Sequence, residues 1–372
     1  MKSTVFYKRT TCRLCESWRV EKICSFPEVP LAEKYFTEPT KVPKAPVDLY
    51  WCHDCRHVQQ LDVVYPQYLW DEYIFNPMQK MKDHFIEFSK TVPGVGLIVD
   101  IGSNDGSLLR PFKDRGWDVL GIEANQEIAD RATKSGIPTL AGMFRGLEVQ
   151  ADVVTAFNVF AHNDDLDGML KNIKKMLKPT GRFIFEAQYL VDILDKTLFP
   201  TLFHEHLSHH SVTALNSWFK RNGMRLIHVD RNDIQHGSII GTVVFEDGIE
   251  TDSTVTDLLW LEQDIGPSTL RRFGGKVERM KGKEFYECGY GAAHSGPTIM
   301  SLLGFEVGYI IDDHPQKVGK FAGTIPVLPT SRLLENQPDE TFILAWVHQR
   351  RIIENNQEYI DRGGRFYTSI SS

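Results

Sequence analysis

The stretch LIVDIGSNDGSLL, residues 97–109, joins an apolar run to a glycine-containing loop and then to a second apolar run. The first run favours a buried strand, and Gly102 and Gly106 let the backbone approach a ligand closely before a helix begins. Amide groups at the start of such a helix attract the polar part of a small molecule. The next apolar run, DVLGIE, ends at Glu123, where a doubly wound sheet carries an acid that binds ribose. The loop therefore predicts an α/β fold with a nucleotide-type ligand.

Apolar runs and amphipathic stretches alternate on both sides of this loop. ADVVTAFNVF and GRFIFEA resemble buried strands, and DDLDGMLKNIKKMLKPTG between them has helical periodicity and ends in helix-stopping Pro and Gly. The alternation predicts a parallel sheet with helices on both faces over residues 66–228. From residue 229 the pattern restarts, and we expect KEFYECGYG, EVGYIIDD and ETFILAWV each to form a strand followed by a helix. We expect DIQHGSIIGTVVFEDG, between the two units, to be a hairpin or a linking strand pair.

The N-terminal segment, residues 1–65, contains two C-x2-C pairs. The paired thiols are Cys12, Cys15, Cys52 and Cys55. Two such pairs complete the tetrahedral set that structural zinc prefers, and a small module gains folding energy from the metal. His53 and His57 are alternative ligands, and two unrelated thiol pairs or a redox pair are the other interpretations. Cys24 and Cys288 stand alone in the sequence, and we expect both to be buried as apolar residues.

Length and charge exclude several classes of function. A chain of 372 residues is too long for one hydrophobic core, so two or three domains are expected. The 49 acidic and 42 basic residues give a net charge of −7, which argues against nucleic acid as a partner. No run of about 18 apolar residues and no signal core occurs, so we expect no membrane association and a cytoplasmic location. A monomer or a weak homo-oligomer is the default assembly.

The loop resembles the S-adenosylmethionine loop of class I methyltransferases more than the G-x-G-x-x-G loop of dinucleotide enzymes. It has the order D-x-G-x-N-x-G with an acid downstream. This cofactor carries an ammonium, a carboxylate and a sulfonium instead of a pyrophosphate, so the loop must leave room for the methionine portion. The residues that the resemblance assigns to the cofactor are Asp100, Gly102, Asn104, Gly106, Glu123 and Asn158. The alternative is a sheet-edge turn without a ligand.

The segment FHEHLSHHS, residues 203–211, concentrates proton-transfer groups. A metalloprotease H-E-x-x-H helix starting at His204 is excluded, because position 208 is Ser. A metal shared by His206 and His209 remains an alternative. A neutral imidazole has a pKa near working pH and suits removal of a proton next to a carbonyl, with Glu205 orienting its neighbour.

Three other histidines have separate expected roles. His162 follows the strand ADVVTAFNVF, and ligands of open α/β sheets bind beyond the carboxyl ends of strands. We therefore expect His162 to face a substrate near the cofactor. His209 and His210 are expected to be solvated or structural rather than chemical.

These motifs together resemble the S-adenosylmethionine-dependent sugar C-methyltransferases, which methylate a carbon of a nucleotide-linked 4-keto sugar. The matching segments cover nearly the whole chain and are CRLC, CHDC, VDIGSNDGSLL, NVFAH, FEAQYL, LFHEHLSHHS, YGAAHSGPT and ILAWVHQRR. The resemblance implies a class I methyltransferase sheet over 66–228, an N-terminal zinc module over 1–65 and a C-terminal Rossmann-like substrate domain over 229–372. It also implies that His206 is the base and that Glu205 and His162 lie beside it. The substrate contacts that it implies are Tyr73, Phe75, Phe203 and His236.

The chain departs from the family pattern where that pattern supplies polar groups. Phe75 and Phe203 stand where the family has Tyr, Ser295 stands for Lys, and Pro297 stands for Asn. A site built around hydrogen bonds loses discrimination when its donors are absent, so we expect a different sugar, a different carbon or weaker chemistry. The alternative functions are a sugar O- or N-methyltransferase and a non-catalytic homologue that binds the cofactor.

Overall fold

The computed structural model describes residues 5–31, 34–69, 79–245 and 249–370, and its N-terminal part consists of short strands around the cysteine pairs. The described strands there are β1 (Phe6–Lys8), β2 (Val20–Cys24), β3 (Val29–Pro30), β4 (Tyr35–Phe36), β5 (Lys44–Ala45), β6 (Leu49–Cys52), β7 (Val58–Gln59) and β8 (Asp62–Val64). Each cysteine pair forms the same tight turn. Glu16 N donates to Cys12 O and Arg56 N donates to Cys52 O, both at 2.9 Å, and both donor residues have a left-handed backbone. The repeated turn brings the two pairs of thiols together.

The middle of the chain forms the sheet that the loop at residues 97–109 predicts. Its helices and strands are α1 (Gln79–Thr91), β9 (Leu97–Ile101), α2 (Leu109–Asp114), β10 (Asp118–Glu123), α3 (Gln126–Lys134), β11 (Thr139–Ala141), β12 (Ala151–Phe157), α4 (Leu166–Met176), β13 (Leu177–Gln188), α5 (Leu190–Asp195), β14 (Ser208–His209), α6 (Val212–Arg221), β15 (Met224–Asn232) and β16 (Ser238–Phe245). The strand order is β11-β10-β9-β12-β13-β16-β15. The strands β9 to β13 are parallel, whereas β15 and β16 form an antiparallel hairpin at one edge. The predicted boundary at residue 228 falls inside β15.

The direction of strand addition reverses between β9 and β12. The chain moves outward from β9 to β10 and β11 and then returns to place β12 on the other side of β9. Ligands of open α/β sheets bind at such a switch point. Neighbouring residues of β9 belong to different cores, Val99 to the one that contains residues of α4 and α6 and Ile98 to the one that contains residues of α1 and α2, so helices cover both faces. The carboxyl ends of β9 and β12 therefore form the expected binding crevice.

The C-terminal part forms a second, mostly parallel sheet. Its helices and strands are α7 (Ser253–Leu261), α8 (Pro267–Arg279), β17 (Phe285–Tyr290), α9 (Gly296–Leu303), β18 (Glu306–Asp312), β19 (Phe321–Ala322), β20 (Ile325–Pro329), α10 (Arg332–Asn336), β21 (Glu340–Ile343), α11 (Gln349–Asn355), α12 (Gln357–Asp361) and β22 (Arg365–Thr368). The strand order is β22-β21-β17-β18-β20-β19-β4, so the last strand comes from the N-terminal segment. The prediction of a helix after each strand is wrong for β18. The segment that follows it contains Pro315 and the left-handed residues Gly319 and Gly323, which turn the chain into β19 and β20 instead.

The helices of the described part of the chain include none with the length and apolar character needed to span a membrane.

Candidate active site

The four paired cysteines form one compact cluster. Their sulfur atoms all lie within 4.8 Å of one another, with Cys12 Sγ 3.5 Å from Cys55 Sγ and Cys15 Sγ 3.4 Å from Cys52 Sγ. Four thiolates at this spacing match the tetrahedral ligand set of structural zinc and leave no position for a substrate.

The alternative ligands His53 and His57 and the single cysteines lie outside this cluster. The alternative ligand His53 pairs with Glu21 at 2.9 Å, and His57 lies 3.1 Å from the hydroxyl of Ser208. Cys24 and Cys288 are 5% and 0% exposed, so the prediction that both are buried is confirmed.

The glycine loop after β9 requires glycine at two positions. Gly102 and Gly106 have φ of +74° and +79°, a region that side chains rarely adopt. A Cβ atom at position 102 would lie 2.6 Å from Cγ2 of Val159, and one at position 106 would lie 2.8 Å from Cβ of Ile137. The loop is therefore a close-fitting turn between β9 and the strand-end segment after β12, as a cofactor cradle requires.

Acidic and amide groups converge at this loop. Asp100 is buried and accepts a hydrogen bond of 2.6 Å from the hydroxyl of Thr155. Burial raises the pKa of Asp100 to about 7, and the negative charge of Glu123 adds to that effect. Glu123 accepts backbone N–H groups of Asn104 and Asn125 at 3.0 and 2.9 Å. The side-chain oxygen of Asn104 is buried without a protein partner. This site therefore offers carboxylates to an ammonium and to ribose hydroxyls. It also offers the side-chain oxygen of Asn104 as an acceptor.

Asn158 lies at the carboxyl end of β12, next to a carboxylate that the sequence analysis did not assign. Its φ is +57°, and its backbone N–H donates to the carbonyl of Glu186 at 2.8 Å. The carboxylate of Glu186 is buried and contacts His84 Nε2 and Asn232 Nδ2, each at 2.9 Å. In the sequence, this cluster could have been inferred from Glu186, a charged residue inside the apolar run FIFEAQ.

His206 and His162 lie side by side, with ring centroids 5.0 Å apart. Nδ1 of His206 lies 2.8 Å from the carbonyl of Thr201, and Nδ1 of His162 lies 3.0 Å from the carbonyl of Glu205. A carbonyl only accepts, so each Nδ1 carries a proton, and in a neutral ring the lone pair then lies on Nε2. Burial, followed by the neighbouring His162, holds the pKa of His206 well below its ordinary range. The ring of His206 is therefore a neutral acceptor at Nε2.

Glu205 pairs with a histidine from the C-terminal unit instead of with His206. Its carboxylate lies 3.1 Å from Nε2 of His294, and the ring of His294 packs edge-on against Phe203 at 4.3 Å. Burial alone would raise the pKa of Glu205, but His294 and then His204 more than offset it and lower that pKa to about 2. The ring of Phe203 also lies 3.9 Å from that of His206. His294 was not among the predicted site residues.

The other histidines of the segment are structural. His204 donates from Nε2 to the carbonyl of Ala45 at 3.0 Å, inside the protein. His209 and His210 are 3% and 1% exposed, and burial lowers the pKa of both. Of the two expected roles, solvated or structural, the structural one applies, because β14 pairs with β7 and places both residues in the interface with the cysteine module.

The predicted substrate contacts fall in different places. Phe203 lies in the histidine cluster, whereas His236 packs against Trp346 with ring centroids 4.6 Å apart. Tyr73 and Phe75 lie outside the described residues.

Three families match consecutive parts of the chain. Residues 12–70 match the "Putative zinc binding domain", residues 70–229 the "Methyltransferase domain" and residues 234–371 the "C-methyltransferase C-terminal domain". The C-methyltransferase NovU of Streptomyces niveus is 29% identical over 405 residues, which cover 96% of this chain and 95% of that protein.

The chain is an S-adenosylmethionine-dependent methyltransferase that resembles the C-methyltransferases.

These matches confirm the resemblance to the C-methyltransferase family, the class I methyltransferase fold and the two cofactors, S-adenosylmethionine and structural zinc. Other relatives match less than half of the chain. A ubiquinone biosynthesis O-methyltransferase of Coxiella burnetii is 22% identical over 183 residues, covering 42% of this chain and 78% of that protein. The structure of magnesium protoporphyrin IX methyltransferase from Synechocystis, with bound SAH, is 18% identical, covers 45% of this chain and 83% of that chain, and has a TM-score of 0.37.

Proposed function

We propose that the chain methylates the carbon next to the ketone of a nucleotide-linked sugar, with His206 as the base. The observation that supports this role most directly is the hydrogen bond from His206 Nδ1 to the carbonyl of Thr201. That bond fixes the tautomer in which Nε2 carries a lone pair, and the lowered pKa keeps the ring unprotonated. The resemblance to sugar C-methyltransferases supports the substrate class.

The proposed reaction begins with proton removal. His206 Nε2 takes a proton from the carbon next to the ketone, and the electron pair of the C–H bond forms an enolate, whose carbon becomes the nucleophile. S-adenosylmethionine, when bound, supplies an electrophilic methyl group. Glu205 stays ionised because the contact with His294 lowers its pKa, and its carboxylate pairs with His294 rather than with His206.

The walls of the proposed sugar site are apolar where the family carries a phenol. The ring of Phe203 covers one side of His206 and has no hydroxyl to offer a keto oxygen. Such a wall favours a substrate with a deoxygenated carbon at that position, since a buried hydroxyl without a partner is unfavourable. We therefore propose a deoxysugar as the acceptor.

His206→Asn tests the role of the base. Zinc-loaded protein is incubated with labelled S-adenosylmethionine and a panel of nucleotide-linked keto sugars that carry deuterium next to the ketone, and products are analysed by mass. We expect cofactor binding to persist and turnover to fall about 10²–10⁴-fold, the usual contribution of a general base. His228→Asn, at an exposed histidine paired with Asp230 and Asp252, is the matched control and keeps wild-type turnover.

Two results would contradict the proposal. Wild-type turnover in His206→Asn would remove the base from that position. A methylated product that retains all its deuterium would show transfer to oxygen or nitrogen, because C-methylation at that carbon requires loss of the C–H bond.

A further inference from the structure

Arg13, inside the first cysteine pair, has a completely buried side chain, with an exposed fraction of 0%. A buried guanidinium is costly unless its donors find acceptors. Nη1 of Arg13 donates to the carbonyls of Gln60 and Leu207 at 2.8 and 3.1 Å, and Nε donates to Asp164 Oδ1 at 2.8 Å. The side chain therefore leaves its own module and binds two segments of the methyltransferase unit.

Those two segments carry His206 and His162. Leu207 directly follows His206, and its carbonyl accepts from Arg13 and also from the backbone N–H of Gln60 at 2.9 Å. The N–H of Leu207 donates to the carbonyl of Ala161, directly before His162, at 2.7 Å. Both histidine segments are thus fixed to each other and to the guanidinium.

The second anchor of Arg13 lies just beyond His162. Burial alone would raise the pKa of Asp164, but Arg13 and Tyr7 more than offset it and keep that pKa below its ordinary value. The carboxylate therefore stays ionised and holds the guanidinium by charge as well as by hydrogen bonding. The strand pair β7–β14 continues the same attachment, with Ser208 opposite Gln59.

We infer that Arg13 is a positioning residue, through which the cysteine module holds the His206 and His162 segments in their mutual geometry. The inference rests on the proposed role of His206. Small displacements of groups that act on a substrate cost rate even when binding persists, and a 1 Å shift is worth about 10²-fold. The guanidinium contacts Leu207 and Gln60 through Nη1 and Asp164 through Nε, whereas lysine offers a single point charge.

The test compares Arg13→Lys and Arg13→Met in the full-length, zinc-loaded protein. Zinc content, S-adenosylmethionine affinity, kcat, KM and amide hydrogen exchange of the peptide 203–209 are measured. We expect zinc content and cofactor affinity to match the wild type. Exchange in the peptide should become at least tenfold faster and kcat about 10²-fold lower in Arg13→Met, with KM within a few-fold and with partial recovery in Arg13→Lys.

Arg19→Met is the matched control. Arg19 lies in the same module but is exposed and pairs with Asp54, so exchange and kcat should stay at wild-type values. Wild-type exchange and kcat in the Arg13 variants would overturn the inference, and Arg13→Lys alone decides it if Arg13→Met fails to fold. Inactivity of the wild type on every keto sugar would instead refute the proposed function, while the exchange rates would still report on Arg13.

Discussion

Asp100 is a buried carboxylate whose pKa lies near 7 in the folded chain, against an ordinary value of 3.8. The folded state therefore holds a proton that the unfolded state has lost between about pH 4 and 7. Over that window the free energy of unfolding of the ligand-free protein falls as pH rises, and above about pH 7 the loss is complete. The cost is on the order of 4 kcal/mol, since each tenfold change in proton affinity is worth about 1.4 kcal/mol.

Asp100→Asn should remove this pH dependence and stabilise the ligand-free protein at pH 8. The amide still accepts the Thr155 hydroxyl but offers no charge to the ammonium of S-adenosylmethionine, so cofactor affinity should fall. Urea unfolding at pH 4 to 8 and calorimetric titration measure the two effects. Asp118→Asn, at an exposed residue of the same unit, is the control. An unchanged pH slope in Asp100→Asn would contradict the assignment.

At the residue scale, the sequence predicts which side chains belong to the site better than it predicts their contacts. Asp100 lies near the end of β9 and Glu123 ends β10, and their positions come from the strand pattern alone. The partner of Glu205 is His294, which lies 89 positions away in the chain. No periodicity encodes such a pairing, because it depends on how the C-terminal unit docks. The tautomer of His206 depends likewise on a backbone carbonyl, which carries no signal in the side-chain pattern.

At the scale of elements, the strand–loop–helix unit after β9 depends on Gly102. Gly102→Ala would place a methyl group 2.6 Å from Val159 in a backbone region unfavourable for alanine. We expect a loss of about 2–4 kcal/mol in the free energy of unfolding and weaker cofactor binding. Urea unfolding and calorimetry measure these effects. Gly282→Ala, where the added methyl meets nothing within 4 Å, should leave both quantities at wild-type values.

The histidine segment and the C-terminal unit are joined by Glu205 and His294. The pKa of Glu205 is lowered from 4.5 to about 2, so this carboxylate stabilises the fold at pH values above 4.5. That stability is lost progressively as pH falls from about 4.5 to 2, and it amounts to roughly 3 kcal/mol.

Glu205→Gln should therefore be less stable than the wild type at neutral pH, with the difference shrinking toward pH 2. Unfolding by urea across this range measures it, and Glu284→Gln, at an exposed position, is the control. A stability difference that does not change with pH would show that Glu205 acts through packing rather than through charge.

The sequence predicts strands well where a single apolar run extends over the whole strand. The runs containing β9, β10, β12 and β13 have the apolar composition of buried strands, and the structure has strands there. The prediction of a helix after β18 was wrong, because a few turn-forming residues outweigh the usual alternation of strand and helix in an α/β unit. Strands of two residues, such as β14 and β19, are too short to show the alternation of apolar and polar residues that predicts a strand. They form because a neighbouring strand pairs with them.

At the scale of the whole molecule, the N-terminal segment is attached to both α/β units. β7 pairs with β14 of the histidine segment, and β4 pairs with β19 of the C-terminal sheet. Arg56, which follows the second cysteine pair, donates to the carbonyls of Glu262 and Ile265 at 3.0 and 2.6 Å. The cysteine module therefore supports the geometry of both units.

Cys55→Ser should lose the metal and destabilise more than the module itself, because zinc binding supplies folding free energy. We expect a lower thermal midpoint, loss of bound zinc by elemental analysis and faster hydrogen exchange in the histidine segment. Cys24→Ser, at a buried cysteine outside the cluster, should keep its zinc. Full zinc content in Cys55→Ser would contradict the four-thiolate site.

The pairing of β4 with β19 has a consequence for how the protein is made. Tyr35 and Phe36 leave the ribosome well before Phe321 and Ala322, the residues with which they pair. Until then the early strand presents an open edge, which invites pairing with other nascent chains. We expect translation products that stop before β19 to aggregate. We also expect the growing chain to depend on chaperones until β19 is available to pair with β4.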